Sequence, residues 1–150
     1  MPIKKYTSQV SVINSINRIE HRLLQAGVTH ISKSYSGNGS DKPVAMIFQI
    51  TINDIPHTFK LPAKVEKVYK NFLAERRKPP TESVKQSIKA QAERTAWKIL
   101  SDWIDIQVSL IELDQAEASE VFFPYLYDPQ RDVTVYQLAK ENNFTKLLTQ

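Results

Sequence analysis

The sequence has no cysteine, only three glycines and no long apolar run. Without cysteine there can be no disulfides, thiolate metal ligands or cysteine nucleophiles, which fits a reducing compartment. No stretch approaches the roughly 18 apolar residues that a membrane-spanning helix needs. The charged residues 1–6 are not followed by the apolar run of a signal peptide. These absences predict a cytoplasmic protein without a membrane partner.

The motifs of common catalytic and cofactor sites are also missing. The three histidines, His21, His30 and His57, do not have the His-x-x-x-His spacing of a zinc site. The glycine-containing segment 36–40 matches no phosphate-binding loop and is interpreted as a hairpin tip. In two pairs of carboxylates the members lie one helical turn apart on surfaces expected to face solvent: Asp102 with Asp105, and Glu117 with Glu120. A metal-dependent nuclease would have to use such pairs. The simpler prediction is a non-catalytic protein with no metal and no cofactor.

Hydrophobic periodicity predicts a single α+β domain over residues 1–150. Apolar residues at helical spacing indicate a first helix from about residue 8 or 11 to Ala26, with Gly27 at its expected left-handed cap. Alternating apolar residues predict strands near 28–35, 44–52 and 55–61. Asn53 and Asp54 can form the turn between the last two strands. A helix, a three-stranded antiparallel meander and a second helix would thus form a core over about residues 8–76.

A long amphipathic helix near residues 81–114 dominates the second half of the chain. Thr81 can cap it, after residues 77–80 have ended the second helix. A second apolar stripe begins at Trp97, so we expect the helix to be buried in its second half and exposed in its first three turns. An aromatic and helical tail over residues 117–150 follows. In this tail, Thr134 with Gln137 predicts a capping box for a short C-terminal helix.

Charge is unevenly distributed along the chain. Residues 60–98 hold eleven Lys or Arg against four Asp or Glu, whereas residues 99–150 hold three against nine. The basic series lies at the end of the third strand, along the second helix and on the exposed part of the long helix: Lys60, Lys64, Lys67, Lys70, Arg76, Arg77, Lys78, Lys85, Lys89 and Arg94. Such a field predicts a nucleic-acid partner, with DNA favoured over RNA.

Two further points bear on this basic series. Tyr35 and Tyr69 would offer stacking surfaces for the bases of a single strand, although one tyrosine in an element is equally typical of packing. A competing interpretation is a solvated surface whose charge the acidic C-terminal part neutralises across the fold. The sequence favours neither interpretation over the other.

The aromatic C-terminal segment predicts an alternative function, a protein-interaction or oligomerisation module. Residues 120–127 carry four aromatic residues around Pro124, and we expect them to form a short extended segment packed over the core, followed by apolar turns near residues 144–148. The partner would be a second copy of the chain or another protein. The candidate contact residues are Phe122, Phe123, Tyr125, Tyr127, Phe144 and Leu148.

The segments Ala-Glu-Arg-Thr-Ala-Trp-Lys-Ile-Leu-Ser-Asp-Trp, at residues 92–103, and Glu-Val-Phe-Phe-Pro-Tyr-Leu, at residues 120–126, resemble a family of small phage and prophage proteins. With Phe-Lys-Leu-Pro at residues 59–62, the resemblance covers most of the chain. It implies a mobile-element setting, hence the host cytoplasm, and little about chemistry. The order of helix, three strands and helix is also similar to that of the double-stranded-RNA-binding domain, and the single-strand-annealing fold has a related core. These fold-level analogies do not establish function.

The leading hypothesis from the sequence joins the basic series to this setting. It is a non-catalytic, phage-type accessory protein that binds nucleic acid through the basic helix surface, in replication or recombination. The alternative is the interaction module, whose partner would be a second copy or a phage or host protein.

Overall fold

The computed structural model describes residues 8–145 and has the predicted α+β architecture. No helix in this part of the chain is long and apolar enough to cross a membrane. The elements in chain order are α1 (Val12–Gln25), β1 (His30–Ser34), β2 (Ala45–Ile52), β3 (Ile55–Pro62), α2 (Val65–Ala74), α3 (Glu82–Glu112), α4 (Ala118–Phe122), a 3-10 turn (Phe123–Tyr125), β4 (Tyr127–Asp128), β5 (Val133–Thr134) and α5 (Val135–Glu141).

The ends of the helices follow the predicted capping residues. The Ser11 side chain accepts a hydrogen bond from the backbone N of Asn14 at the start of α1. Gly27 ends that helix with φ of +92°, a conformation that a residue without a Cβ adopts at little cost. Thr81 caps α3, and Thr134 forms the predicted capping box with Gln137 at the start of α5.

The three long strands form an antiparallel meander in the order β1-β2-β3. Asn53 and Asp54 make the turn between β2 and β3, both with positive φ, as predicted. This turn fixes a register in which Phe48 lies opposite Phe59 and Met46 opposite Leu61. Because side chains alternate across a strand, these four buried residues share one face of the sheet. That face forms one wall of the core.

Helices α1 and α3 supply much of the rest of the core. Ile19 and Leu23 of α1 and Trp97 and Ile104 of α3 are among its buried residues, and the two helices pack against each other. Arg22 joins them at the surface, where its Nε lies 2.7 Å from Asp105 Oδ1 and its guanidinium also pairs with Glu112. The long helix is therefore held by apolar packing inside and by ion pairs at the rim.

The two halves of α3 differ in burial as the sequence predicts. The helix has seven buried residues, and all of them lie between Ala92 and Val108. None of residues 82–91 is buried, and this part of α3 carries the shorter helix α2, which also has no buried residue. Helix α2 packs mainly on α3. Together they form an antiparallel helical hairpin, here defined as residues 64–89, at the margin of the core.

The aromatic C-terminal segment corrects one prediction. It is helical up to Tyr125 and extended only at Leu126 and Tyr127, because residues 118–122 form α4 and residues 123–125 a 3-10 turn that contains Pro124. A proline in the first turn of a helix loses no intrahelical hydrogen bond. This conformation directs Phe122 into the core, where its ring centroid lies 5.1 Å from that of Phe48 and 6.2 Å from that of Trp103.

Candidate nucleic-acid interface

The helical hairpin carries most of the predicted basic series. Lys64, Lys67 and Lys70 follow one another at three-residue spacing, so they form a row on the solvent side of α2. The apolar residues of this helix, such as Val68 and Phe72, are half-buried, as expected of the side that packs on α3. The geometry of an amphipathic helix thus separates a packing face from a cationic face.

Seven of the ten predicted cations are exposed and, in the described part of the chain, make no ion pair. They are Lys64, Lys67, Lys70, Arg76, Arg77, Lys78 and Lys85. Lys64 is the N-cap residue of α2, and the other six lie on α2, on the loop between α2 and α3, or in the first turn of α3. The structure therefore gathers these cations on one hairpin.

The other three predicted cations are engaged in contacts within the fold. Lys60 pairs with Asp132 at 3.3 Å and lies over the ring of Tyr127. Lys89 pairs with Glu66 and lies over the ring of Tyr69. Arg94 donates hydrogen bonds to Gln91 and to the backbone oxygen of Ser8. These three positions are less available to a ligand than the seven exposed ones.

The acidic C-terminal part does not neutralise the hairpin within the described structure. Its ion pairs reach Arg22, Lys60 and Lys98. None of them reaches a residue of the hairpin. Residues 64–89 hold eight Lys or Arg and three Glu, for a net charge of +5. The charge asymmetry of the sequence is therefore also an asymmetry of the surface, and a polyanion would be attracted to one end of the molecule.

Tyr35 and Tyr69 are in different environments. Tyr69 is half-buried, with the Lys89 ammonium 5.0 Å from its ring centroid, so one face of its ring is already covered. Tyr35 is 51% exposed, just after β1. The two aromatic residues of the hairpin, Tyr69 and Phe72, are both half-buried. The hairpin therefore offers charge to a ligand and little stacking surface.

The carboxylate pairs have structural partners. Asp102 pairs with Lys98, and Asp105 with Arg22. Glu120 accepts a hydrogen bond from the backbone N of Glu117, as part of the capping box that starts α4. Residues 8–145 contain no group of three potential metal-ligating side chains. Ion pairs and helix capping therefore explain the placement of these carboxylates.

The alternative aromatic surface is only partly exposed. Phe122 is fully buried, so it cannot contact a partner, and this part of the prediction is wrong. Tyr125 is half-buried against Trp103, and burial raises its pKa above the ordinary value of 10.0. Phe123 and Phe144 remain about half exposed, at 54% and 49%. Leu148 lies outside the described residues.

Tyr127 belongs to a charged cluster that fastens the C-terminal strands to the sheet. Its hydroxyl donates a hydrogen bond of 2.6 Å to Asp132 Oδ1, the oxygen that also pairs with Lys60 of β3. The hydrogen bond from Tyr127 and the neighbouring Lys60 lower the pKa of Asp132 below 3.8. The same hydrogen bond raises the pKa of Tyr127 above 10.0. Tyr127 is therefore engaged in a contact within the fold.

These pKa shifts predict how pH affects this attachment. Asp132 stabilises the fold at a pH above its ordinary pKa, and this stabilisation is lost as the pH falls through its lowered pKa. Tyr127 stabilises the fold below its ordinary pKa of 10.0, and this stabilisation is lost as the pH rises through its raised pKa. The protection of the amides of residues 127–134 against hydrogen exchange, relative to the intrinsic exchange rate at the same pH, should therefore fall below about pH 4. Asp132→Asn should remove this dependence on acid pH, because an amide does not titrate. Asn also tolerates the φ of +52° at this position, so the backbone is not strained. Asp54→Asn, in the exposed turn between β2 and β3, is the control. An unchanged acid dependence in Asp132→Asn would contradict the assignment.

A cleft of about 440 Å³ lies at the base of the hairpin. One wall is the loop between β1 and β2, and the other is formed by the start of α2 and by Lys89 and Glu93 in the first half of α3. The backbone N of Ala63 donates a 2.9 Å hydrogen bond to Val44 O, and the N of Val44 donates one of 2.7 Å to Ser34 O. These bonds fix the start of α2 beside the loop. Sequence reasoning missed this cleft, because it joins segments that are distant along the chain.

No family model, curated protein or solved structure matches the chain. Its function is therefore inferred from the chemistry of the hairpin, the cleft and the aromatic C-terminal surface.

Proposed function

We propose that this protein binds nucleic acid, and DNA in particular, through the helical hairpin of residues 64–89. It acts without catalysis, as a phage-type accessory protein in replication or recombination. One observation carries the proposal: seven exposed cations, none of them with a described ion pair, lie together on the hairpin. Phosphates would give these cations the counter-charges that the fold does not supply.

The physical basis is the release of condensed counterions. A nucleic acid carries a dense row of phosphates, and each phosphate that a Lys or Arg neutralises releases a bound cation into solution. The ion pairs of the acidic residues elsewhere leave the net +5 of the hairpin in place. Contacts to phosphate position a protein without reading bases. The hairpin should therefore contact many sequences with similar affinity.

A salt titration tests this proposal. If about five of the seven cations contact phosphates, log affinity should fall against log salt with a slope of roughly −4. Fluorescence anisotropy of labelled single- and double-stranded DNA, from low to physiological ionic strength, measures the slope. RNA of the same length tests the preference for DNA. Binding that is absent at low ionic strength, or that ignores salt, would contradict the proposal.

Exposed aromatic residues at the C-terminal end support a second candidate function, a protein-interaction module. Tyr136 and Phe144 are 44% and 49% exposed, with ring centroids 6.0 Å apart. Phe123 is also exposed, on the 3-10 turn that packs against α5. Exposed apolar patches are typical of interaction sites. Light scattering separates the two candidates, because an assembly that requires Phe144 and ignores DNA favours the module.

A further inference from the structure

The cleft at the base of the hairpin combines an apolar floor with a charged rim. Val44, Ala63 and Val65 contribute to the floor, and Pro43, which is buried, also lines the cleft. Ser36, Asn38 and Ser40 line the side formed by the β1–β2 loop. The volume of about 440 Å³ lies within the usual range for small-ligand sites, roughly 300–1,000 Å³. An apolar floor with a few polar groups suits a flat aromatic ligand with a charged substituent.

The charges around the cleft favour an anion. Four lysines and two glutamates line it, and both glutamates are already paired. Glu93 lies 3.5 Å from Lys42 Nζ, and Glu66 pairs with Lys89. Lys64 and Lys67 are exposed and have no ion pair among the residues that the structure describes. The uncompensated charge of the cleft is thus positive and lies on its α2 side.

The cleft is continuous with the proposed DNA-binding surface. Lys64 and Lys67 both line the cleft and begin the row of cations on α2. The row extends about 9 Å from Lys64 to Lys70, at roughly 1.5 Å per helical residue. A strand whose phosphates follow this row therefore reaches the cleft.

We propose that the cleft holds one nucleotide of a single strand, with its base on the apolar floor and its phosphate at Lys64 and Lys67. This inference rests on the proposed function. A paired base lies inside the duplex stack and must leave it to enter a pocket. The cleft thus gives the protein a preference for single strands over continuous duplex. The hairpin binds both single-stranded and duplex DNA, and the cleft adds affinity for single strands alone.

The loop wall offers partners for the base. Asn38 Oδ1 accepts a hydrogen bond from Ser36 Oγ at 2.6 Å and another from the backbone N of Ser40 at 3.1 Å. These bonds orient the Asn38 side chain, whose amide nitrogen remains a donor. An amide donor at the rim can bond to base oxygens and does not by itself select one sequence.

A substitution that fills the floor tests this inference. Val44 is 38% exposed, and its backbone is held by hydrogen bonds to Ser34 and Ala63, so Val44→Trp places an indole in the cleft. Ile55→Trp is the control, because Ile55 is 59% exposed at the start of β3 and does not line the cleft. Anisotropy is measured with single-stranded DNA of about 12 nucleotides and with a closed hairpin duplex.

Val44→Trp should weaken single-strand binding roughly tenfold or more, the loss expected for one stacked base. It should leave duplex binding unchanged, and Ile55→Trp should bind both DNAs like the unmodified protein. Equal single-strand affinity in Val44→Trp and the unmodified protein would overturn the cleft assignment. The proposed function would survive that result if charge reversal on the hairpin still weakened binding, and would fail if the unmodified protein bound no DNA.

A titration with a mononucleotide decides the matter even if Val44→Trp does not fold. Thymidine 5′-monophosphate is added to the unmodified protein, up to roughly 10 mM, and amide NMR resonances are followed. Shifts in residues 36–44 and 63–67 support the inference. Shifts elsewhere, or none, overturn it.

Discussion

Charge reversal at three positions of the hairpin, Lys67→Glu, Lys70→Glu and Arg77→Glu together, should weaken DNA binding at least about 100-fold at roughly 0.1 M salt. Each of these cations is exposed and has no ion pair in the described structure. The variant loses three phosphate contacts, so its salt slope should also be lower in magnitude by about 3. Anisotropy over a range of salt concentrations measures both quantities.

A matched variant separates a specific surface from net charge. Arg18→Glu, Arg131→Glu and Lys140→Glu change the total charge by the same amount, at exposed cations outside the hairpin. The control should weaken binding far less, because only long-range attraction is lost, and its salt slope should stay close to that of the unmodified protein. Equal losses in the two variants would show that the hairpin is not the contact surface. Circular dichroism establishes that both remain folded.

Truncation of Phe122 to Ala should lower the free energy of unfolding by about 3–5 kcal/mol, the range for a large aromatic residue removed from a core. Phe122 is fully buried, and its ring lies near those of Phe48, Phe59 and Trp103, with centroids 5.1–6.2 Å away. The substitution leaves a cavity where the sheet, α3 and the C-terminal segment meet. Urea denaturation followed by tryptophan fluorescence measures the loss.

The neighbouring residue provides the control for this prediction. Phe123 is 54% exposed, and Phe123→Ala should change the free energy of unfolding by no more than about 0.5 kcal/mol. Similar losses at the two positions would contradict the helical conformation that buries one ring and exposes the next. A loss of self-association in Phe123→Ala, with stability kept, would instead favour the interaction module.

Much of the fold could be predicted because its determinants are local. Ser11 and Thr81 act through backbone groups three residues away, and Gly27 through its own φ. The turn at Asn53 and Asp54 needs only two residues that tolerate positive φ. Alternation then assigned Phe48 and Phe59 to the same face. Each of these local interactions involves residues within a few positions of one another, so the sequence alone predicts it.

Whether each basic residue is exposed or held in an ion pair could not be predicted, because ion pairs depend on contacts between distant segments. Lys60 meets Asp132, 72 residues away, and no spacing rule indicates that pair. Lys89 meets Glu66 across two helices that the loop brings together. Sequence alone therefore identified the basic series, and the structure identified its seven exposed members.

The aromatic segment was mispredicted for a different reason. Short apolar runs have no clear period, so a strand and a helical turn both fit them. A proline among aromatic residues is typical of an extended chain, but Pro124 also suits the first turn of a helix. The cleft escaped prediction because the loop at residues 36–44 meets the start of α2 only through tertiary contacts.

The central claim is that the helical hairpin is the nucleic-acid-binding surface. The most direct test is an NMR titration of the unmodified protein with single-stranded DNA of about 12 nucleotides at low salt. The amide resonances of residues 64–85 should shift, and the shifts should reverse when salt is added. Shifts that avoid the hairpin and cluster at Phe123, Tyr136 and Phe144, or no shifts at all, would contradict the account.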